Sequence, residues 1–146
     1  MTELTAAARL RLHALHCVAR LALRFRLPLK AKGMVDGIAR AFPPLDGVDE
    51  ARAAVRTLFP KGTCLSRAVT IAAALPGAEV VIGVNVWTAA RLAAHAWLEV
   101  SHVRIDTNPS SQEFPDELAR LPPVPSIPRP HRPRLSYCVP SFRRKS

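Results

Sequence analysis

Cys64, His95 and Asp106 are the side chains whose types and order in this sequence can carry nucleophilic chemistry. Cys64 follows Thr63, a residue suited to an N-cap, and opens an Ala- and Leu-rich run to Leu75 that reads as a helix. A cysteine in a first helical turn faces unpaired backbone N–H groups and the positive end of the helix dipole. Both favour the thiolate, the nucleophilic form. The same N–H groups can stabilise the oxyanion formed when that sulfur attacks a carbonyl. His95 lies in Leu92–Val100, which reads as a strand, and shares one face of it with Trp97 and Glu99. If Ser101-His102 is a two-residue turn, Val100 opposes Val103, Leu98 opposes Ile105, and Glu99 opposes Arg104 as an oppositely charged pair. Asp106 then faces Trp97 and lies diagonal to His95 on the same face, where a carboxylate can hold the imidazole in one tautomer and orient it as a base. Ser101-His102 is not an Asn-Gly turn, and a slip of one residue would move Asp106 to the opposite face.

Each of these residues alone has a plainer reading. Cys64 can be a small apolar core residue, and His95 an ordinary strand histidine. Arg67, three residues beyond Cys64, shares its helix face, where it can support a thiolate, bind a substrate carboxylate or make a structural ion pair. Trp97, on the face of His95, is a candidate substrate contact. His102 reads as a solvated turn residue, His131 sits in a proline-rich tail, and Cys17 and Cys138 are read as non-catalytic.

Positioning these groups needs a helix and an antiparallel meander. Residues 4–25 read as a long helix on which Arg9, His13, His16, Arg20 and Arg24 recur at spacings of 4, 3, 4 and 4. At the helical repeat they fall within an arc of about 80°. Leucines fill much of the remainder, so this helix is expected to be packed on most sides; the rival reading is a basic amphipathic helix on a membrane surface. Pro28 ends it. Signals are weaker from 29 to 60, punctuated by Gly33, Gly37 and Pro43-Pro44, with a helix over about 47–58 that carries Asp49 and Glu50 in its first turn. After the Cys64 helix, Pro76-Gly77 is a break, Ala78–Val86 reads as a strand, Leu92–Val100 as a second and Val103–Asp106 as a third. Residues 113–121 read as a short helix. Six prolines among residues 122–133 leave that segment extended or disordered. This order gives an α+β fold class with N-terminal helices and a nucleophile helix packed on a small antiparallel sheet. It divides the chain into a helical region (1–60), a core bearing the chemistry (61–121) and a Pro/Arg-rich tail (122–146).

A chain of 146 residues, 49% apolar and 22% charged, has the length and composition of one globular domain. Its formal charge of +10 is unevenly placed: residues 1–40 carry +6, residues 41–128 carry −2 and residues 129–146 carry +6. A nucleic-acid-binding core is therefore disfavoured, although the basic ends can meet acidic partners. Three cysteines in unrelated contexts, without a Cys-x-x-Cys pair, indicate neither a disulfide framework nor a zinc site. No metal or cofactor is expected. With no recognisable signal peptide and no long uninterrupted apolar run, the chain is expected to be soluble and cytoplasmic.

Taken together, a helix-start cysteine, a strand histidine and an acid on the next strand follow the chain order of papain-like and transglutaminase-like cysteine enzymes. Cys64-Leu65-Ser66-Arg67-Ala68, Val80-Val81-Ile82-Gly83-Val84 and Ala94-His95-Ala96-Trp97-Leu98-Glu99-Val100, with Asp106 after them, resemble the lasso-peptide leader peptidases of the transglutaminase-like superfamily. The resemblance covers roughly residues 55–121. It implies a transglutaminase-like (papain-like) cysteine protease fold and a triad that removes the leader from a ribosomally made precursor peptide. Carried over, Cys64 is the nucleophile, His95 the general base and then acid, and Asp106 the orienting acid. The turn after Val100 lacks the Asp-Gly common in that family and the spacing to the acid is about one residue short. The helical first 60 residues lack the strands of the leader-recognition domain found in fused members. The resemblance thus implies the split form, with a separate leader-binding protein and an ATP-dependent, macrolactam-forming cyclase as partners. Two other readings stay open: another acyl transfer on the same triad, as an amidase or transglutaminase, or a non-catalytic docking module whose basic ends bind a peptide, a membrane surface or nucleic acid.

Overall fold

The computed structural model describes residues 3–88, 91–108 and 116–123. Four helices, α1 (Ala6–Phe25), α2 (Pro28–Ala39), α3 (Val48–Leu58) and α4 (Cys64–Ala74), precede four strands, β1 (Glu79–Thr88), β2 (Arg91–Val100), β3 (Val103–Asp106) and β4 (Asp116–Leu121). The strands form one antiparallel sheet in the order β3-β2-β1-β4. His131, Cys138 and the proline-rich tail beyond residue 123 lie outside the described residues.

α4 is the centre of the molecule. Every residue from Ser66 to Ala72 is buried, and the helix is packed against α1, α2, α3, β1 and β2. An apolar cluster runs through it, joining Leu15 and Ala19 of α1, Val35 of α2, Leu58 of α3, Val69 and Ile71 of α4, and Val80, Leu98 and Ile105 of the sheet. A helix so enclosed has its N-terminus fixed from several directions, and that is where Cys64 sits.

Thr5 caps α1, its hydroxyl accepting from the Ala8 N–H at 3.2 Å. The buried row is Leu12, Leu15, His16, Ala19 and Ala22, a single helical stripe. The helix is therefore not packed on most sides: Leu10, Leu21 and Phe25 are 73%, 60% and 71% exposed. All three of its helical neighbours lie against the same stripe, and that stripe includes His16.

Pro28 ends α1 and also begins α2, filling a first-turn position where a missing N–H costs nothing. The buried face of α2 is Ala31, Lys32, Val35, Asp36 and Ala39. Lys32 Nζ meets Asp36 Oδ2 at 2.7 Å inside the protein. Two ionised residues at core positions hide the apolar stripe from the sequence pattern.

The β2–β3 register is the one the apolar face requires, with Val100↔Val103, Leu98↔Ile105, Glu99↔Arg104 and Trp97↔Asp106 opposed. Its turn places both Ser101 (φ 48°) and His102 (φ 65°) in the left-handed region, as a two-residue hairpin of this twist demands. Residues 116–121 of the expected 113–121 helix are instead β4, paired with β1; residues 113–115 lie outside the described set. Tertiary pairing wins over propensity here. Leu121 is buried, and Arg120 reaches across β1 to Glu79 at 2.6 Å and Glu99 at 2.7 Å. Those two glutamates are direct cross-strand neighbours, a repulsive pairing that the guanidinium neutralises.

Candidate active site

The nucleophile position is built by a reciprocal cap. The Ser66 N–H donates to Thr63 Oγ1 at 3.1 Å, and the Thr63 N–H donates to Ser66 Oγ at 3.0 Å. The Ser66 hydroxyl also lies 3.0 Å from the Thr63 carbonyl, within reach to donate to it. His16 Nε2 lies 3.0 Å from the same Oγ. The tautomer of the ring sets which of the two groups donates. Burial first, then Arg20 and Arg67, lower the His16 pKa to about 4, so the ring is neutral near pH 7. Gly62 closes the loop at φ +71°, where a Cβ would lie 2.6 Å from Ser66 Oγ and 2.7 Å from His16 Nε2.

The other half of the site comes from where β3 stops. In a two-residue hairpin the closing pair, Val100 and Val103, is hydrogen-bonded, so alternate residues of β2 back to Ala96 aim N–H and C=O toward the β3 side. β3 ends at Asp106, which leaves those groups of Ala96 without a ladder partner. The Thr107 hydroxyl takes the carbonyl at 2.6 Å, and the N–H donates to the sulfur of Cys64. The start of α4 thus occupies the place where β3 would have continued.

His95 Nε2 lies 2.7 Å from Asp106 Oδ1, and the thiol of Cys64 is hydrogen-bonded to the His95 side chain. An imidazole has two nitrogens, so the sulfur faces Nδ1. Asp106 is itself held by the Asn108 N–H on Oδ1 at 2.9 Å and by Arg104 on Oδ2 at 3.3 Å. Burial pushes the Cys64 thiol up, but hydrogen bonds from His95 and the Ala96 N–H, the His95 charge and the Leu65 N–H outweigh it, and the thiol lies below its ordinary value. Burial likewise acts against a charged His95, yet Asp106 and Cys64 raise its pKa to about 9. The site favours a thiolate–imidazolium pair.

The structure brings Cys64, His95 and Asp106 together. Trp97, the candidate substrate contact, lies buried beside the imidazole. The indole is 4% exposed, stacks beside His95 with centroids 6.3 Å apart, and is covered by the Arg104 guanidinium at 4.2 Å. It backs the imidazole. Arg67 is also buried, and it has neither a carboxylate partner among the described residues nor an open face. Its Nε donates to the Thr107 carbonyl at 3.0 Å, and NH1 donates to the Lys61 and Gly62 carbonyls at 3.1 and 3.0 Å. It ties the loop before α4 to the residue after β3, and its charge sits near enough to interact with Cys64. Of the three sequence readings, support of the thiolate fits these contacts.

Sequence reasoning missed His16, Ser66 and Thr107. Alternation puts Thr107 on the face opposite Asp106, toward α4, which was the one readable signal. Nothing in the stripe of α1 distinguished His16 from its neighbours. Among the described residues, no group of three His, Cys, Asp or Glu side chains is arranged to hold a metal ion.

A helix-start thiol, a strand imidazole and a carboxylate on the adjoining strand define a cysteine–histidine–acid constellation on an α+β scaffold. A profile of the Transglutaminase-like superfamily matches residues 5–116, and the chain belongs to that superfamily. Its members are generally cysteine proteases or acyltransferases. Searches of curated proteins and of solved structures find no match. Among the described residues, no helix is long and apolar enough to cross a membrane.

Proposed function

We propose that this chain is a cysteine protease that removes the leader from a ribosomally made lasso-peptide precursor. A separate leader-binding protein presents the substrate, and an ATP-dependent cyclase consumes the released core. One observation carries the reading: the thiol is hydrogen-bonded to an imidazole whose far nitrogen is held by a carboxylate at 2.7 Å. The likeness of Cys64-Leu-Ser-Arg-Ala and Ala94-His-Ala-Trp to the leader peptidases supports the substrate class.

In this mechanism the Cys64 thiolate attacks the carbonyl joining leader to core, forming a C–S bond, and the carbonyl electrons move onto oxygen. The Cys64 N–H, in the first turn of α4, donates to that oxyanion. The tetrahedral adduct collapses, the C–N bond breaks, and His95 gives its proton to the departing amine, which becomes the N-terminus of the core. His95, now neutral, takes a proton from water as it attacks the thioester, and the leader acid leaves with the thiol restored. Asp106 holds the ring throughout. The test is mass spectrometry of precursor, leader-binding partner and enzyme together. Wild type yields free leader and core; Cys64→Ala yields neither and keeps the wild-type circular dichroism. Full processing by Cys64→Ala overturns the proposal. A new isopeptide bond without a new N-terminus makes the protein an acyltransferase instead.

A further inference from the structure

α1 carries a second apolar row that the fold leaves uncovered. Ala7, Leu10, Ala14, Cys17 and Leu21 recur at spacings of 3, 4, 3 and 4, and Phe25 follows four residues on. Every one of them is exposed. Alternating three and four is the spacing that keeps a seam turned toward one partner helix along its length. The row lies about 150° round the helix from the buried stripe, so the helices packed on that stripe leave it open. Arg9, Arg20 and Arg24 run along one flank and Arg11 along the other, and α1 holds no acidic residue. Among the described residues, the only ion pair made by these four is Arg9 with the exposed Glu3 at 3.8 Å. Single exposed leucines are ordinary, but an apolar row the length of a helix, rimmed by unneutralised charge, marks an interaction surface.

We propose that this face receives an amphipathic helix of another protein, with apolar residues at the same repeat and carboxylates along its edges. Charge selects that occupant. A second copy sets arginines against arginines in either orientation, because both flanks of the row are basic. The end of this chain is no better matched, since residues 129–146 carry six basic residues and no acidic one. Size favours a helix over a bilayer. Ala7, Ala14 and Cys17 offer little apolar surface to lipid, whereas small side chains at a contact let two helix axes approach closely. Leu10, Leu21 and Phe25 then enter the gaps between the partner's side chains, and the flanking guanidinium groups meet its carboxylates. This interface is independent of the chemistry proposed for Cys64.

The test uses two fluorescein-labelled helical peptides of three heptads with leucine at both seam positions, one with glutamate and one with lysine along the edges. Binding to the full chain is read by fluorescence anisotropy at low salt. The contact is located by peptide mapping of N-ethylmaleimide alkylation at the exposed Cys17. The Glu peptide is expected to bind about tenfold or more tighter than the Lys peptide and to shield Cys17 from alkylation. Leu10→Ser/Leu21→Ser, at exposed positions and with unchanged circular dichroism, weakens the Glu peptide about tenfold or more, because two leucines lose their burial. Arg20→Glu/Arg24→Glu turns the preference toward the Lys peptide, and roughly 0.5 M salt narrows it in the wild type. Failure of the Glu peptide to bind, equal affinities for the two peptides, full affinity in the leucine variant, or a bound Glu peptide that leaves Cys17 alkylation unchanged overturns the interface. So does a dimer in sedimentation that the leucine variant loses, which makes a second copy the occupant. Leucine-dependent binding to phosphatidylglycerol vesicles without binding of the Glu peptide overturns it too, in favour of a bilayer.

Discussion

Asp106→Asn separates the electrostatic role of the acid from its shape. Asn keeps an oxygen near His95 Nε2, where the carboxylate now sits at 2.7 Å, but removes the charge. His95 is raised from 6.5 to about 9, with Asp106 as the leading upward cause and Cys64 as the second. That rise of about 2.5 units corresponds to roughly 3 kcal/mol of preference for the imidazolium. Half or more of it, about 1.5–2 kcal/mol, should vanish with the carboxylate. The thiolate is stabilised by the same imidazolium, so it loses support in turn, and the two protons titrate as a coupled pair. Alkylation by iodoacetamide, followed at Cys64 by peptide mapping across pH 4–10, reads the thiolate directly. Wild type should react well below the ordinary thiol range, and Asp106→Asn should move the midpoint upward by about one unit. Processing of precursor should fall about 10- to 100-fold, and the alkaline limb of the wild-type profile, near pH 9, should shift down. An unchanged alkylation midpoint would refute the reasoning, because it would mean the carboxylate does not set the charge on the ring.

Three further outcomes follow from the supports of the site. His16 is held neutral with a pKa of about 4 against 6.5 for the unfolded chain, so the unfolded state binds the proton first as pH falls. This contribution to stability is complete above about pH 6.5 and is lost toward pH 4, by up to about 3 kcal/mol; urea melts should show His16→Gln flatter than wild type across that window. Gly62→Ala should cost about 2–3 kcal/mol in the same melts, combining left-handed backbone strain with a Cβ driven into Ser66 and His16. Replacing Ser101 by Asn together with His102 by Gly suits a turn with two positive φ angles and should add about 1–2 kcal/mol, with Cys64 alkylation unchanged.

The site was more legible in the sequence than the scaffold around it, for a physical reason. The strand register was fixed by alternation. Any slip on β2–β3 would have turned Leu98, Val100 and Ile105 out of the core, so the apolar face placed Asp106 beside His95 even though Ser101-His102 is a poor turn. The cap was legible too, because Thr63 has only local work to do. α2 was hidden by Lys32 and Asp36, which occupy core positions and are tolerated there only because they neutralise each other. β4 was hidden by a sequence whose Glu117–Arg120 pair suits a helix and persists at 2.9 Å in the strand. The burial of His16 depends on a partner fifty residues away, a distance no local pattern spans.

The same contacts explain why the groups stay aligned on so short a sheet. Asp106 is the last residue of β3, so one more ladder pair would have used the Ala96 N–H that now meets the sulfur. Stopping the strand there leaves a buried edge, and a buried edge must be satisfied. Thr107 does this with its hydroxyl on the Ala96 carbonyl, while its own carbonyl receives Arg67 from α4. The residue after the acid is thereby locked to the helix that carries the nucleophile, and Arg67 extends the lock to Lys61 and Gly62 before Cys64. Cys64 and Asp106 are thus held on opposite sides of one imidazole largely through backbone groups, with the exposed Arg104 guanidinium adding one contact to Asp106. Reactive groups supported in this way lose little order when the surrounding surface changes.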